Sequence, residues 1–189
     1  MFQLTKSDQL LLLQIARTSV RAYLSGEVFT APEIPEGNLG ESCGIFVSIH
    51  KHGELRGCIG NVHAAGPLYR SAAECAISAA VGDPRFIPLT NEELPVVDFE
   101  ISVLSTMQRI EDVSEIEVGK HGLLISKGGY RGLLLPQVAT AYAWDRVTFL
   151  QETCRKAGLR ADDWKNGAAI HCFSAFVFGE KHSHLTAAS

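Results

Sequence analysis

A guanidinium and a thiol two residues apart, Arg56 and Cys58, sit in the segment Leu55-Arg56-Gly57-Cys58-Ile59-Gly60. On a strand the two side chains share one face, roughly 7 Å apart, with Leu55, Gly57 and Ile59 on the other. A cation beside a thiol favours the thiolate, which is the reactive form. At ~7 Å the attraction is about 0.6 kcal/mol in water and about 2.4 kcal/mol at an effective dielectric of 20. At ~1.36 kcal/mol per pKa unit, Arg56 alone lowers the thiol pKa by between about half a unit and about two units. From ~8.5 that makes a nucleophile only in a dry site, so a helix N-terminus (a helix is expected from Pro67) or a histidine base would have to help. Gly57 and Gly60 weaken a strand, and one use for such glycines is close approach of a ligand or of another backbone. The plain alternative is that Cys58 is a small, inert, buried strand residue.

Three further groups could complete such a site. Asp83-Pro84-Arg85-Phe86 follows a helix end. It reads either as a turn with an Asp83–Arg85 pair or a backbone-capping Asp83, or as an anion-binding Arg85 with Asp83 orienting it or a catalytic histidine. Glu100 lies in the alternating run Val97-Asp98-Phe99-Glu100-Ile101-Ser102, pointing to solvent or into a cleft. An arginine beside it lowers its pKa and burial without a partner raises it. His121, bracketed by Gly119 and Gly122 with Lys120, is placed either at the surface or facing a cleft. Cys58, His121 and a carboxylate (Glu100 or Asp83) would satisfy nucleophile–base–orienter logic if the fold brings them together.

Other chemistry is poorly represented. His50-x-His52 aligns two imidazoles on a strand without a third ligand at recognisable spacing, and His182-x-His184 lies in the tail, so no metal site is expected. No P-loop, Gly-x-Gly-x-x-Gly, His-Glu-x-x-His or nucleophile-elbow serine occurs. With 17 Lys+Arg against 21 Asp+Glu, the net charge of −4 and the lack of a basic run argue against nucleic-acid binding. Five widely spaced cysteines without Cys-x-x-Cys suit a reducing compartment. With no signal-peptide pattern and no apolar run near 20 residues, a cytoplasmic protein without membrane contact is expected.

The positioning elements follow from periodicity. Thr5 with Asp8 caps a helix over about Lys6 to Ser25, whose stripe is Leu10, Leu13, Arg17, Val20 and Leu24, and Gly26 ends it. Residues 45–50 alternate, turn at His52-Gly53 and return over Leu55 to Val62 as a hairpin. Pro67 opens a helix with Leu68, Ala72, Cys75, Ala76 and Ala79 on one side, and Gly82-Asp83-Pro84 stops it. Thr90-x-x-Glu93 reads as a capping box. Val97 to Leu104 is a strand, 123–126 and 130–135 a second hairpin, Trp144 to Ala157 a helix, and Ile170 to Phe178 a final strand. The tail from Lys181 should fray. Hairpins interspersed with helices give an α+β fold, mostly antiparallel sheets with flanking helices, in one domain over 1–189 with an ordered core of about 4–178.

The segment Leu55 to Gly60 resembles the signature of the AMMECR-one domain family. Seven further segments agree in order: Leu11 to Gly26 (an Ile-Ala-Arg helix), Gly44-Ile45-Phe46-Val47, Asp83-Pro84-Arg85-Phe86, Glu100-Ile101-Ser102-Val103-Leu104, Gly119-Lys120-His121-Gly122-Leu123, Leu135-Pro136-Gln137-Val138-Ala139 and Lys156-Ala157-Gly158-Leu159. The likeness spans residues 4–178 and departs at Asn61-Val62, where a Thr-aromatic pair is usual. The resemblance implies two lobes around a cleft near the signature. It also implies an AmmeMemoRadiSam gene neighbourhood, with Memo-like and radical-SAM proteins as partners. It supplies no reaction, cofactor or oligomeric state. On this combined reading Cys58, His121, Glu100 and Asp83 are the candidate catalytic residues. Arg56, Gly57, Gly60, Arg85 and Gln137 are the candidate substrate-binding residues, for a small anionic or carbonyl-type substrate. The competing expectation is a non-catalytic binding or adaptor module.

Overall fold

Strand alternation builds the first sheet as expected. The computed structural model describes residues 4–32, 37–63 and 66–183. In it Ile45–Lys51 (β1) turns through His52 and Gly53, both at positive φ, into Glu54–Asn61 (β2). On its other side β1 pairs antiparallel with Val97–Leu104 (β3), giving the order β2–β1–β3. Ile45, Val47, Ile49, Phe99 and Ile101 are buried on the inner face. Phe46, Ser48 and His50 stand on the outer face, opposite Ser102, Glu100 and Asp98.

Two helices cover the inner face. Lys6–Leu24 (α1) starts with the expected capping box: Asp8 N–H donates to Thr5 Oγ1 at 3.1 Å and Thr5 N–H to Asp8 Oδ2 at 2.9 Å. Its buried residues are Leu12, Leu13, Ile15, Ala16, Ser19 and Val20, while Leu10 is exposed. At 100° per residue this face lies about 100° from the predicted stripe. Leu68–Val81 (α2) begins one residue after Pro67, which is the N-cap rather than the first helical residue, and buries Leu68, Ala72, Cys75, Ala76 and Ala79 as expected.

The chain divides into two compact units, one formed by residues up to Leu104 and from Phe176 onward, the other by Ser105–Ala175. In the second unit His121–Lys127 (β5) and Tyr130–Leu134 (β6) form the predicted hairpin through Gly128 and Gly129. Ala169–Gly179 (β7) pairs with β5, and with the short Gln108–Ile110 (β4), which alternation does not reveal. Arg146–Lys156 (α4), capped by Asp145 and ended before Gly158, packs on β5 and β6. Its Phe149, Leu150 and Cys154 are fully buried with Leu123 and Ile125. Each such large apolar side chain contributes about 1.5–3 kcal/mol. Pro136–Ala141 (α3) is a further short helix that the sequence reading does not contain.

Of the tail expected to fray from Lys181, residues 184–189 lie outside the described residues. Glu180–Ser183 (α5) is a helical turn, and Lys181 pairs with Asp98 at 2.5 Å. Arg17, the one polar member of the predicted stripe, donates Nε and Nη2 to Glu180 at 2.6 Å each. It also reaches the carbonyls of Leu94 and Val97. The same carboxylate accepts the Phe99 N–H. The fold is α+β with antiparallel pairing in both units. No helix among the described residues is long and apolar enough to cross a membrane. His184 of the His182-x-His184 pair lies outside them.

Candidate functional site

Cys58 lies on β2, at the edge of the sheet, directly opposite Ser48 of β1, which in turn faces Glu100 of β3. These three side chains form one row across the outer face. Ser48 Oγ donates to Cys58 Sγ at 3.2 Å. Gly57 next to it turns inward, where a Cβ would collide with the carbonyl of Ala79 at the end of α2. The close approach anticipated at Gly57 is therefore that of another backbone. At Gly60 the space a Cβ would need is taken by the ring of Phe46 and the carbonyl of Ile45. Both glycines of the signature thus admit packing partners at the positions where the sequence reading proposed substrate contact.

Arg56 does not accompany Cys58 as the strand parity predicts. The β1–β2 register slips between Ile49, paired with Gly57, and His50, paired with Leu55, so Arg56 is an extra, bulged residue. Its guanidinium grips Glu93 at 2.9 and 3.3 Å, and Lys51 holds the same carboxylate at 2.8 Å. Those two cations hold the Glu93 carboxyl down to about 2. Glu93, which the sequence reading treats as a capping residue, is thus the anchor of the Arg56 bulge; its bond to the Thr90 N–H is long, at 3.4 Å.

The cation acting on the sulfur is Arg85. Asp83 is buried, and its carboxylate accepts the Cys58 N–H at 2.9 Å, the Arg85 N–H at 3.1 Å, and Arg85 Nε and Nη2 at 2.9 and 2.6 Å. Arg85 Nη2 also donates to the Cys58 carbonyl at 3.3 Å. The pair therefore closes both backbone groups that Cys58 presents at the open edge of β2, where an unpaired strand would otherwise recruit another chain. The Arg85 guanidinium, with the two backbone donors, holds the Asp83 carboxyl well below the usual carboxylate range. The Asp83–Arg85 pair and the backbone-capping Asp83 that the turn reading of Asp83-Pro84-Arg85-Phe86 offered as alternatives are both present. Neither reading named Cys58 as the residue gripped.

Burial pushes the Cys58 thiol up from its ordinary value. The Ser48 hydrogen bond and Arg85 pull it down, while Asp83 and Glu100 raise it further. The lowering expected from Arg56 is thus replaced by a net rise, because desolvation outweighs one guanidinium already bound to a carboxylate. Glu100 is half-buried and has no hydrogen-bond or ion-pair partner among the described residues. It lines a hollow of about 190 Å³ with His50, Gly53, Asp98, Glu180 and Lys181.

Cys58, Asp83, Arg85 and Glu100 are thus brought together in the first unit, with Arg56 drawn aside. His121 and Gln137 belong to the second unit. His121 opens β5, half-buried, with Nδ1 accepting the Glu117 N–H at 3.2 Å, so a neutral ring carries its proton on Nε2. Gln137, half-buried, lies in the first turn of α3. No group of three potential metal ligands occurs among the described residues.

These positions can be set beside known proteins. A protein of Methanosarcina acetivorans is 38% identical over 94% of both chains. Protein PF1979 of Pyrococcus furiosus is 40% identical over 90% of this chain and 87% of its own. The crystal structure of the uncharacterized protein PH0010 from Pyrococcus horikoshii superposes with a TM-score of 0.85 at 38% identity, covering 90% of each chain. The AMMECR1 family model matches residues 13–178, and the chain belongs to that family.

Proposed function

We propose that the outer face of β2–β1–β3, centred on the Cys58–Ser48–Glu100 row, is a small-ligand binding site in which Cys58 serves as a neutral thiol contact. On this reading the protein is a binding component of a larger system and not a free-standing cysteine enzyme. The observation that carries it is the state of the sulfur: burial raises the thiol, and the nearby guanidinium is already committed to Asp83. A nucleophile working near neutral pH needs the opposite balance.

The catalytic alternative has Cys58 attacking a carbonyl-type substrate with His121, Glu100 or Asp83 as acid and base. Asp83 suits it poorly, since a carboxylate accepting four hydrogen bonds and held far below its usual range is a weak base. Of the candidate binding residues, Arg85 contributes through its half-exposed guanidinium at the rim. Arg56 positions the bulge. Memo-like and radical-SAM proteins, the partners that the family resemblance implies, are the components such a module would serve.

The test is the pH profile of Cys58 alkylation by iodoacetamide, read by peptide mass spectrometry so that the other four cysteines do not interfere. The midpoint should lie above the ordinary thiol value of about 8.5. Arg85→Ala should raise it and Arg56→Ala should leave it in place. A midpoint below about 7.5 would restore the nucleophile. Copurification with the two partner types, kept by Cys58→Ala and lost on changing surface residues, separates the module from the enzyme.

A further inference from the structure

Around the outer face, the buried and half-buried carboxylates are each matched by a cation, with one exception among the described residues. Asp83 is matched by Arg85 at 2.6 Å, Glu93 by Arg56 and Lys51 at 2.9 and 2.8 Å, Asp98 by Lys181 at 2.5 Å, and Glu180 by Arg17 at 2.6 Å. Glu100, half-buried in the middle of this set, has no such partner among the described residues. The nearest hydroxyl in its row does not serve it either, because Ser48 donates to Cys58 Sγ. A carboxylate is acceptor-only, so what it can take at this place is a donor, and a cationic donor most strongly. Glu100 lines the hollow shared with His50, Asp98 and Lys181, where Gly179 adds no side chain over the Glu100 Cβ.

We propose that this hollow takes a small organic cation, an ammonium or guanidinium group on a short aliphatic body, with Glu100 as its counter-charge. The inference rests on the reading of the outer face as a ligand site and names the class of ligand. The volume of about 190 Å³ corresponds to roughly six waters at ~30 Å³ each, room for a few heavy atoms beyond the charged head. A hard divalent ion fits less well. It wants six to eight oxygen ligands, and Glu100 is the one carboxylate there without a cation. An anion would meet that uncompensated charge, since Lys181 is taken by Asp98.

The experiment titrates the ¹⁵N-labelled full chain with methylguanidinium, and in parallel with tetramethylammonium and with Ca²⁺. Saturable amide shifts are expected at Ser48, His50, Asp98 and Glu100 with methylguanidinium. Tetramethylammonium, which has charge but no N–H, should bind more weakly by roughly tenfold. Glu100→Gln should weaken methylguanidinium binding by roughly ten- to a hundredfold, while Glu115→Gln in the second unit should leave it unchanged. Equal titration of Glu100→Gln and the parent overturns the proposal. So do shifts that never saturate, or the same saturable pattern from Ca²⁺ in place of methylguanidinium. A high Cys58 alkylation midpoint with no methylguanidinium binding removes the ligand class alone. A low midpoint removes the neutral-thiol reading whichever probe binds.

Discussion

Replacing Asp83 by asparagine keeps the shape of the side chain and removes its charge, so it isolates what the carboxylate does for the edge of β2. In the parent protein it holds the Cys58 N–H and three Arg85 donors. Asparagine retains one acceptor oxygen and turns an NH₂ toward the remaining donors. A backbone N–H left without an acceptor in a part-buried strand costs about 1–3 kcal/mol. The lost ion pair adds at most about 1 kcal/mol, because the Arg85 side chain is 51% exposed and water takes over its solvation. The sum is about 1–4 kcal/mol, which for a chain of this length lowers Tm by about 2–16 °C. The pH dependence has a definite sign. The folded value of Asp83 lies below the unfolded carboxylate value of about 3.9, so its contribution is complete above that value and is lost as pH falls toward the folded one. Asp83→Asn should flatten that acid limb. Hydrogen exchange gives the local reading: the Cys58 amide, on an edge strand, should be protected in the parent and exchange much faster in the variant. A variant within about 0.5 kcal/mol of the parent, with Cys58 still protected, would refute the assignment of Asp83 as the edge clamp.

Glu180→Gln should cost about 2 kcal/mol in urea unfolding with an unchanged m-value. It weakens two charge-assisted bonds to Arg17 and competes for the Phe99 N–H at sites only about one-quarter exposed. Gly57→Ala should exceed about 3 kcal/mol and show as loss of soluble folded protein, since the new methyl meets the backbone of α2 and not a movable side chain. Ala143→Gly should raise stability by about 0.5–1 kcal/mol in thermal melts, because Ala143 sits at φ 51° after α3, a conformation that strains any residue with a Cβ.

The elements that could be read ahead were those whose periodicity had one solution. β1 and β3 alternate apolar and polar residues, and a half-buried antiparallel strand permits one assignment of faces. The α1 cap was equally local, Thr5 and Asp8 being three residues apart. The α1 face was not, because the run Leu10 to Leu13 with Ile15 and Ala16 fits several stripes. The choice was made by what it packs on: α2, β3, and a buried Ser19 against the Ala73 carbonyl. β4 is three residues long with two of them exposed, too short to carry a period. α3 has only six residues, short of two full turns.

At the site, residue choice was legible and partnership was not. Cys58, Asp83, Arg85 and Glu100 were all named from the sequence, yet the pairing of Arg56 with Cys58 failed at a bulge that no alternation could signal, Leu-Arg-Gly having no period to interrupt. The consequence is chemical as well as geometric. One register slip sends a guanidinium to Glu93, and the sulfur is left with a cation that arrives from 27 residues away already bound to a carboxylate. A free Arg56 beside a desolvated thiol would argue for a thiolate, whereas a clamped Arg85 argues for a thiol. The distinction between a nucleophile and a contact at Cys58 therefore turns on where the extra residue of β2 falls, and it is a property of the hairpin before it is a property of the cysteine.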